Sequence, residues 1–395
     1  MKKTINDIEL KNKKVLMRVD FNVPIKNGII TSNKRIIAAL PTIKKVINDG
    51  GKLILFSHLG RIKEQGDIVK NDLFPVSIEL SRLLEKPVLF VDSTRGKELE
   101  NAISNMKPGH IILVQNTRFE DLNGKAESKN NPELAKYWAS LGDVFINDAF
   151  GTAHRAHASN VGISTYIKES ALGYLMQQEV ESLSKAITNP AHPFVAIVGG
   201  AKVSDKIKVL ENLITAVDKM IIGGGMSYTF KKALGYSVGT SLLENDLIEF
   251  AKDFLAKYGN KVILPLDNAC TKEFADVEPV ICDLNIPDDL MGMDIGPKSI
   301  NLFKESLVDA KTVIWNGPMG VAEFNHFSKG TLEIAQAIAK LGPSCYSVVG
   351  GGDSVAAVQK LGMEKHFSHV STGGGASLEF LQGHELPGVA AIQDK

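Results

Sequence analysis

Short apolar runs alternating with stretches of helical period set the plan of the chain. Over the first 150 residues the runs are Val15–Val19, Leu53–Phe56, Val88–Val91, Ile111–Val114 and Val144–Ile146. Between them lie helical stretches such as Arg35–Asn48, Val76–Leu84, Lys97–Met106 and Glu133–Ser140. Runs without polar alternation are strands buried on both faces, and helices between such strands are the right-handed crossovers of a parallel sheet. Pro41 lies within the first helical stretch and is predicted to bend it or mark its true start. The pattern begins again after residue 190, with Phe194–Val198, Met220–Ile222, Val262–Leu264, Val313–Trp315, Tyr346–Val349 and His369–Ser371. Two doubly wound α/β domains with Rossmann-like parallel sheets are the economical reading. Between them Ser170–Thr188 reads as one helix, because Leu172, Leu175, Met176, Val180, Leu183 and Ile187 keep its period and Asn189-Pro190 ends it. At 1.5 Å per residue it spans about 28 Å, enough for a strut shared by both domains, although a core helix of one domain fits the same pattern.

Composition narrows the class. A chain of 395 residues, 44% hydrophobic and 23% charged, is expected to be globular with two or three domains. Apolar runs such as Leu53–Phe56 fall far short of the roughly 20 residues of a membrane helix, and Met1–Lys14 has no apolar stretch of a secretory signal. Three cysteines, Cys270, Cys282 and Cys345, form no CxxC pair, which argues against a disulfide scaffold or zinc ribbon and for a reducing cytoplasm. The net charge of zero conceals a split: residues 1–170 carry 26 basic against 19 acidic side chains, and residues 171–395 carry 19 against 26. All seven arginines, Arg18, Arg35, Arg61, Arg82, Arg95, Arg118 and Arg155, lie in the first part. A planar fork is the group that carboxylate or phosphate recognition uses. Arg82 and Arg95 sit in helical patterns and read as surface ion pairs; the other five sit at or near turns. Basic runs with interleaved aromatics are missing, which argues against nucleic acid.

Glycine supplies the second chemical signal. Gly-Gly-Gly-x-Ser occurs at Gly223–Ser227, Gly350–Ser354 and Gly373–Ser377, with a relative at Gly199-Gly200-Ala201-Lys202, each between a strand-like run and a helical one. Such turns let backbone N–H groups approach an anion at a helix N-terminus, and four of them at the carboxyl ends of one sheet favour a phosphate-rich ligand. Neither GxxxxGK[ST] nor GxGxxG is present.

These residues resemble a known family. Arg18-Val-Asp-Phe-Asn-Val-Pro24, Ser57-His-Leu-Gly-Arg61, Asn116-Thr-Arg-Phe119, Asp148-Ala-Phe-Gly-Thr-Ala-His-Arg-Ala-His157, Gly199-Gly-Ala-Lys-Val-Ser-Asp-Lys206, Trp315-Asn-Gly-Pro-Met-Gly320, Gly350-Gly-Gly-Asp353 and Ser371-Thr-Gly-Gly-Gly-Ala-Ser-Leu-Glu379 are similar to the motifs of phosphoglycerate kinases, in order, from about residue 4 to 393. The resemblance implies phosphoryl transfer between the carboxylate of 3-phosphoglycerate and ADP/ATP with Mg²⁺. An acceptor carboxylate is ionised at neutral pH, so no general base is needed, and positioning with charge neutralisation remains. It implies Asp20, Asn22, Arg35, His58, Arg61, Arg118 and Arg155 as substrate-binding, with Arg35 at the transferring group. Lys202 would follow that group, and Lys206 would face the nucleotide phosphates. Asp353 is implied as the Mg²⁺ ligand, with an N-terminal helix cap, shared with Ser354, as the structural alternative. Gly350, Gly351, Gly352, Gly373 and Gly374 would support the phosphates, Ser354 would belong to the same nucleotide-binding set, Asn316 would lie near the phosphates, Glu323 would bind ribose, and Gly223, Gly224 and Gly292 would let adenine lie against backbone. For Arg18 the expectation is a structural ion pair with a nearby carboxylate, and for His154 and His157 it is loop ordering.

The implied organisation is a phosphoglycerate-binding domain of residues 1–169 with the tail 383–395 returned to it, a hinge at 170–188 and a nucleotide-binding domain of 189–382. The domains are expected to close about that hinge, and the chain to be a monomer without nucleic-acid or membrane partners. Ile62, Gln115, Ser354 and Ala322 depart from the usual family residues (proline, glutamate, threonine and a bulky aromatic). A non-catalytic nucleotide- or phosphometabolite-binding protein is the alternative from another class; it would keep the glycine turns without needing both Lys202 and the arginines.

Overall fold

The computed structural model describes residues 1–395. Its contacts divide the chain into two compact units, Met1–Val180 with Glu385–Lys395, and Glu181–His384.

The first unit is built on a parallel six-stranded sheet. Its spatial order is Leu89–Val91, Ile111–Val114, Lys52–Phe56, Lys14–Arg18, Val144–Asn147, Ser170–Leu172. Register pairs Val15 with Leu53 and with Val144, and Leu53 with Ile111. The alternate residues Met17, Leu55, Leu113 and Ile146 therefore extend one apolar face, onto which Ile36, Ile43 and Val46 of the helix Lys34–Asn48 pack. That helix runs through Pro41 and does not begin there. The residue whose carbonyl loses its N–H partner, Ile37, is solvent-exposed, so water can replace the missing donor. The C-terminal tail belongs to this unit: Gly388 N–H donates to the Ala153 carbonyl at 2.8 Å, and Lys3 N–H to that of Gln393 at 2.8 Å.

The second unit repeats the plan. Its parallel sheet runs Val262–Ile263, Lys219–Ile222, Phe194–Val198, Thr312–Asn316, Tyr346–Gly350, His369–Val370. Numbered by chain position these are 3-2-1-4-5-6, so the crossover direction reverses between Phe194–Val198 and Thr312–Asn316, where open sheets bind ligands. A small antiparallel sheet, Val280–Cys282, Asn268–Thr271 and Met291–Ile295, is added.

One boundary differs from the sequence reading. Ser170–Leu172 is an edge strand beside Val144–Asn147, and the helix is Tyr174–Thr188. Gly173 separates them, and a side chain there would meet Asp148 Oδ1 at 2.2 Å. Asp148 Oδ1 accepts the Met176 N–H at 3.2 Å, so a buried carboxylate holds the start of the helix, which crosses the boundary between the units at Val180.

A second buried carboxylate, Asp294, staples the other unit. Its Oδ2 accepts the Gly330 N–H at 2.7 Å, at the start of the helix Lys329–Leu341, and its Oδ1 accepts the Ile295 N–H at 2.8 Å. Burial pushes its carboxyl up to about 7, against the pull of those two N–H groups and Lys329. A carboxyl raised in the folded state binds a proton that the unfolded chain has already released, so its contribution to stability is lost as pH rises from about 4 through about 7. The thermal midpoint of Asp294→Asn is therefore expected to change less between pH 5 and pH 7.5 than that of the parent. Equal pH dependence in parallel melts would remove Asp294 from this role.

Candidate functional site

The sequence-predicted residues of the first unit emerge at the carboxyl ends of four adjacent strands. Asp20 and Asn22 follow Lys14–Arg18, His58 and Arg61 follow Lys52–Phe56, Arg118 follows Ile111–Val114, and Arg155 follows Val144–Asn147. Arg35 occupies the first turn of the helix Lys34–Asn48, whose N-terminal N–H groups add partial positive charge. Its guanidinium donates to Asp20 Oδ2 at 2.7 Å and stays 42% exposed. Asn22 joins two of the loops by accepting the Gly60 N–H at 2.9 Å, and Arg118 donates to the Gly60 carbonyl. Asn116 completes the frame, accepting the Arg118 N–H at 3.0 Å and donating to the Leu59 carbonyl at 2.7 Å. These bonds hold the Arg61 loop although Ile62, not proline, follows the arginine; Ile62 is buried. Gln115 is also explained. Its amide donates to Asp72 at 3.0 Å and to Asp92 at 2.8 Å, where a glutamate would add a third carboxylate.

The electrostatics are those of an anion site. Burial, followed by the charges of Arg18, Arg118 and Arg35 with His157 beside them, holds the His58 imidazolium well below its ordinary range. His157 is held at about 3 by burial and by Arg18, Arg118 and Arg155. Arg118 is itself lowered by burial, Arg18 and Arg155. These side chains therefore form one cluster, which an incoming anion would relieve of mutual repulsion. Arg61 and Arg155 are exposed at its rim.

Arg18 departs from the expected ion pair. It is fully buried, donates to His58 Nδ1 at 3.1 Å and to Ser159 Oγ at 2.8 Å, and reaches the carboxylate of Glu127 only through that hydroxyl. Glu127 lies in a polar loop and Ser159 in the short helical turn Ala158–Gly162, and neither stretch has a sequence pattern that singles the residue out.

In the second unit the glycine turns also gather at carboxyl strand ends. Gly199 N–H donates to the Asn316 carbonyl at 2.9 Å, Gly200 N–H to Pro318 at 3.0 Å, and Gly224 N–H to Met319 at 3.1 Å, so three loops meet backbone to backbone. Lys206 Nζ donates to Asn316 Oδ1, and burial lowers the Lys206 ammonium while Asp205 and Asp353 raise it. Because an ammonium only donates, Asn316 must turn its Nδ2 the other way. That Nδ2 is buried without a partner, and it lies 3.0 Å from where a Gly351 side chain would begin. A buried donor left open costs about 1–3 kcal/mol, which suits a site awaiting an acceptor. Asp353 is exposed on the first turn of the helix Gly352–Lys360, Lys202 is exposed on the Gly200 loop, and Glu323 is exposed on the loop after Thr312–Asn316. Gly352 and Gly374 have open space where a side chain would be.

Three of the implied nucleotide-side positions also carry packing of their own. The Ser354 hydroxyl is fully buried, accepting the Gly317 N–H at 2.6 Å and donating to the Gly350 carbonyl at 3.1 Å. Gly292 leaves room for Tyr228, whose Oη would lie 2.1 Å from a side chain there. Gly223 likewise faces Met319 Sδ at 2.5 Å.

The family model described as phosphoglycerate kinase matches residues 5–384. The chain is 59% identical to a phosphoglycerate kinase of Enterococcus faecalis over 396 residues, covering 100% of both, and 57% identical to one of Mesomycoplasma hyopneumoniae, covering 100% of this chain and 98% of the other. Among solved structures it is similar to phosphoglycerate kinase from Coxiella burnetii (TM-score 0.89, 41% identity) and from Pyrococcus horikoshii (TM-score 0.83, 32% identity), each covering 99% of this chain and 98% of the other.

Proposed function

The chain belongs to the phosphoglycerate kinase family, and from that premise we propose how its own residues carry the reaction. The reaction is reversible phosphoryl transfer from 1,3-bisphosphoglycerate to ADP, giving 3-phosphoglycerate and ATP, a step of glycolysis. The alternative of a non-catalytic binding protein gains no support from the relatives.

The observation that carries the assignment of residues is the cation cluster of the first unit. A phosphate monoester bearing a carboxylate has about three negative charges above its second pKa near 6. Arg61, Arg118 and Arg155 offer it forks, and His58, neutral, donates a hydrogen bond from Nε2. Asp20 and Asn22 take the hydroxyl end. Arg35 stabilises the transferring group, whose charge spreads over three oxygens. On the nucleotide side Lys202 follows the moving phosphoryl, Lys206 and Asn316 Nδ2 face the phosphates, and the N–H groups around Gly350–Gly352 and Gly373-Gly374 cradle them. Glu323 takes ribose, and the backbone near Gly223, Gly224 and Gly292 lies beside adenine. The acceptor is already ionised, so no side chain needs to remove a proton.

Asp353 fits Mg²⁺: one exposed carboxylate suits an ion that keeps several waters and arrives with the nucleotide phosphates. The metal would supply charge neutralisation between phosphate oxygens. Anchors on two units demand approach of the reacting oxygens, so we propose closure about the helix Tyr174–Thr188. With 3-phosphoglycerate and a non-hydrolysable ATP analogue together, the radius of gyration in solution is expected to fall; an unchanged scattering curve would remove closure. We further propose a monomer in the cytoplasm; no helix is long and apolar enough to cross a membrane.

The assay is direct. Purified protein is expected to release ATP from ADP and 1,3-bisphosphoglycerate, quantified by anion-exchange chromatography of quenched samples, with dependence on added Mg²⁺. Turnover unaffected by chelation of Mg²⁺ would remove Asp353 from its role.

A further inference from the structure

Arg18 ends the strand Lys14–Arg18 and lies fully buried. A guanidinium has five N–H donors and no acceptor, so each polar neighbour of Arg18 has to accept. Nε donates to Ser159 Oγ at 2.8 Å, one terminal nitrogen donates to the Val19 carbonyl, and the other donates to His58 Nδ1 at 3.1 Å. Two orientations follow. The Ser159 hydroxyl, having accepted from Arg18, turns its own hydrogen toward Glu127 Oε1, while the Ser159 N–H donates to Glu127 Oε2 at 2.9 Å. His58, having accepted at Nδ1, carries its proton on Nε2.

The result is a polarised chain from a buried carboxylate through a hydroxyl and a guanidinium to an imidazole, with every direction set by the donor-only group in the middle. Glu127 does not need its charge to staple its loop. Its backbone carbonyl already accepts the Asn130 N–H at 3.1 Å and the Ala158 N–H at 2.9 Å. Nor does a core need a buried cation here, since well-packed apolar residues generally match or exceed buried ion pairs in stability. What the carboxylate adds is a counter-charge and a fixed acceptor that hold Arg18 in one place.

We infer that Glu127 is a positioning residue for 3-phosphoglycerate binding: through Ser159 it fixes Arg18, and Arg18 keeps His58 in the Nε2–H form that donates to the substrate. The inference rests on the proposed contact between His58 and that substrate, and goes beyond it by assigning the residues that set the proton's position.

The test combines spectroscopy and kinetics on the full chain. Protein labelled with ¹⁵N-histidine reports the tautomer of His58 through two-bond ¹H–¹⁵N correlations, assigned with His58→Ala. The parent is expected to show the Nε2–H form. In Ser159→Ala and Glu127→Gln the two nitrogen shifts are expected to move toward a mixture of tautomers. The KM for 3-phosphoglycerate should rise about tenfold, the scale of one hydrogen bond to a charged group, while kcat and the KM for ATP stay within about twofold. Ser159→Ala removes a single oxygen and keeps the test alive if Glu127→Gln does not fold. An unshifted tautomer in Ser159→Ala, or a shifted tautomer with unchanged KM, overturns the relay. An unchanged KM in His58→Ala removes the substrate contact itself, and the inference with it.

Discussion

Arg35→Ala is expected to lower kcat about a thousandfold, about 4 kcal/mol of transition-state stabilisation, with the thermal midpoint unchanged. The structure separates the two quantities. The Arg35 side chain is 42% exposed and its bond is to Asp20, an ion pair of a kind that contributes about 0–1 kcal/mol to folding. Its position in the first turn of the helix Lys34–Asn48 adds the helix's own N–H groups to the same region of positive potential. A charge this lightly committed to the fold is free to meet one that develops only during transfer. Arg35→Lys keeps the charge and loses the planar fork, so it should fall between parent and alanine, lowering kcat more than it raises the KM for ADP. Steady-state rates in both directions, with melting curves on the same preparations, decide the matter. Parental kcat in Arg35→Lys would take Arg35 away from the transferring group.

The strands were legible because most are buried on both faces. Ile111–Val114 and Phe194–Val198 have no polar residue to blur their ends, and their bounds in the fold match the apolar runs. The small antiparallel sheet of the second unit was not legible. Its strand Val280–Cys282 exposes Val280 and Ile281, and Asn268–Thr271 buries polar residues, so neither has a clean period. A hairpin of Ile25–Lys26 and Ile29–Ile30 did carry a signal, Asn27-Gly28, both with positive φ as a two-residue turn requires. Ser170–Leu172 read as helix because Leu172 and Leu175 continue the period; the break lies in Gly173, whose reason is contact with Asp148.

The candidate site divides in the same way. Arginine in a lysine-rich chain is conspicuous, so Arg35, Arg118 and Arg155 could be picked out by residue type. Their partners could not. Glu127 and Ser159 are ordinary polar letters until the fold closes over them, and the open Nδ2 of Asn316 exists only because Lys206 occupies its oxygen. Both units use one device: a donor-only cation takes the acceptor of an amphoteric neighbour and leaves that neighbour's donor open. Side-chain type shows what a group can do, and only packing shows which of its ends is free.

Glycine is where residue type misleads most, and this supports the second large effect. Gly317 has φ +100°, and a side chain there would lie 2.1 Å from the Gly199 carbonyl oxygen. Gly199 in turn would clash with the Pro318 carbonyl at 2.2 Å, and Gly224, at φ +68°, with the Gly200 nitrogen at 2.6 Å. These are backbone atoms of three loops seated on one another, and nothing flexible can yield. Gly317→Ala is therefore expected to destabilise the second unit by more than about 3 kcal/mol, seen as a lowered melting transition and poor soluble yield. Gly352 stands apart. It opens the helix Gly352–Lys360 with nothing within 4 Å of a side chain, so alanine fits and favours helix slightly. Gly352→Ala should melt like the parent, yet its methyl would stand where phosphates approach the helix amides. Its affinity for ADP, measured by titration calorimetry, is expected to fall about tenfold or more, with 3-phosphoglycerate binding untouched. Parental ADP affinity in Gly352→Ala would move the nucleotide away from this turn. A parental melt in Gly317→Ala would show that the three loops have more freedom than their backbone contacts permit.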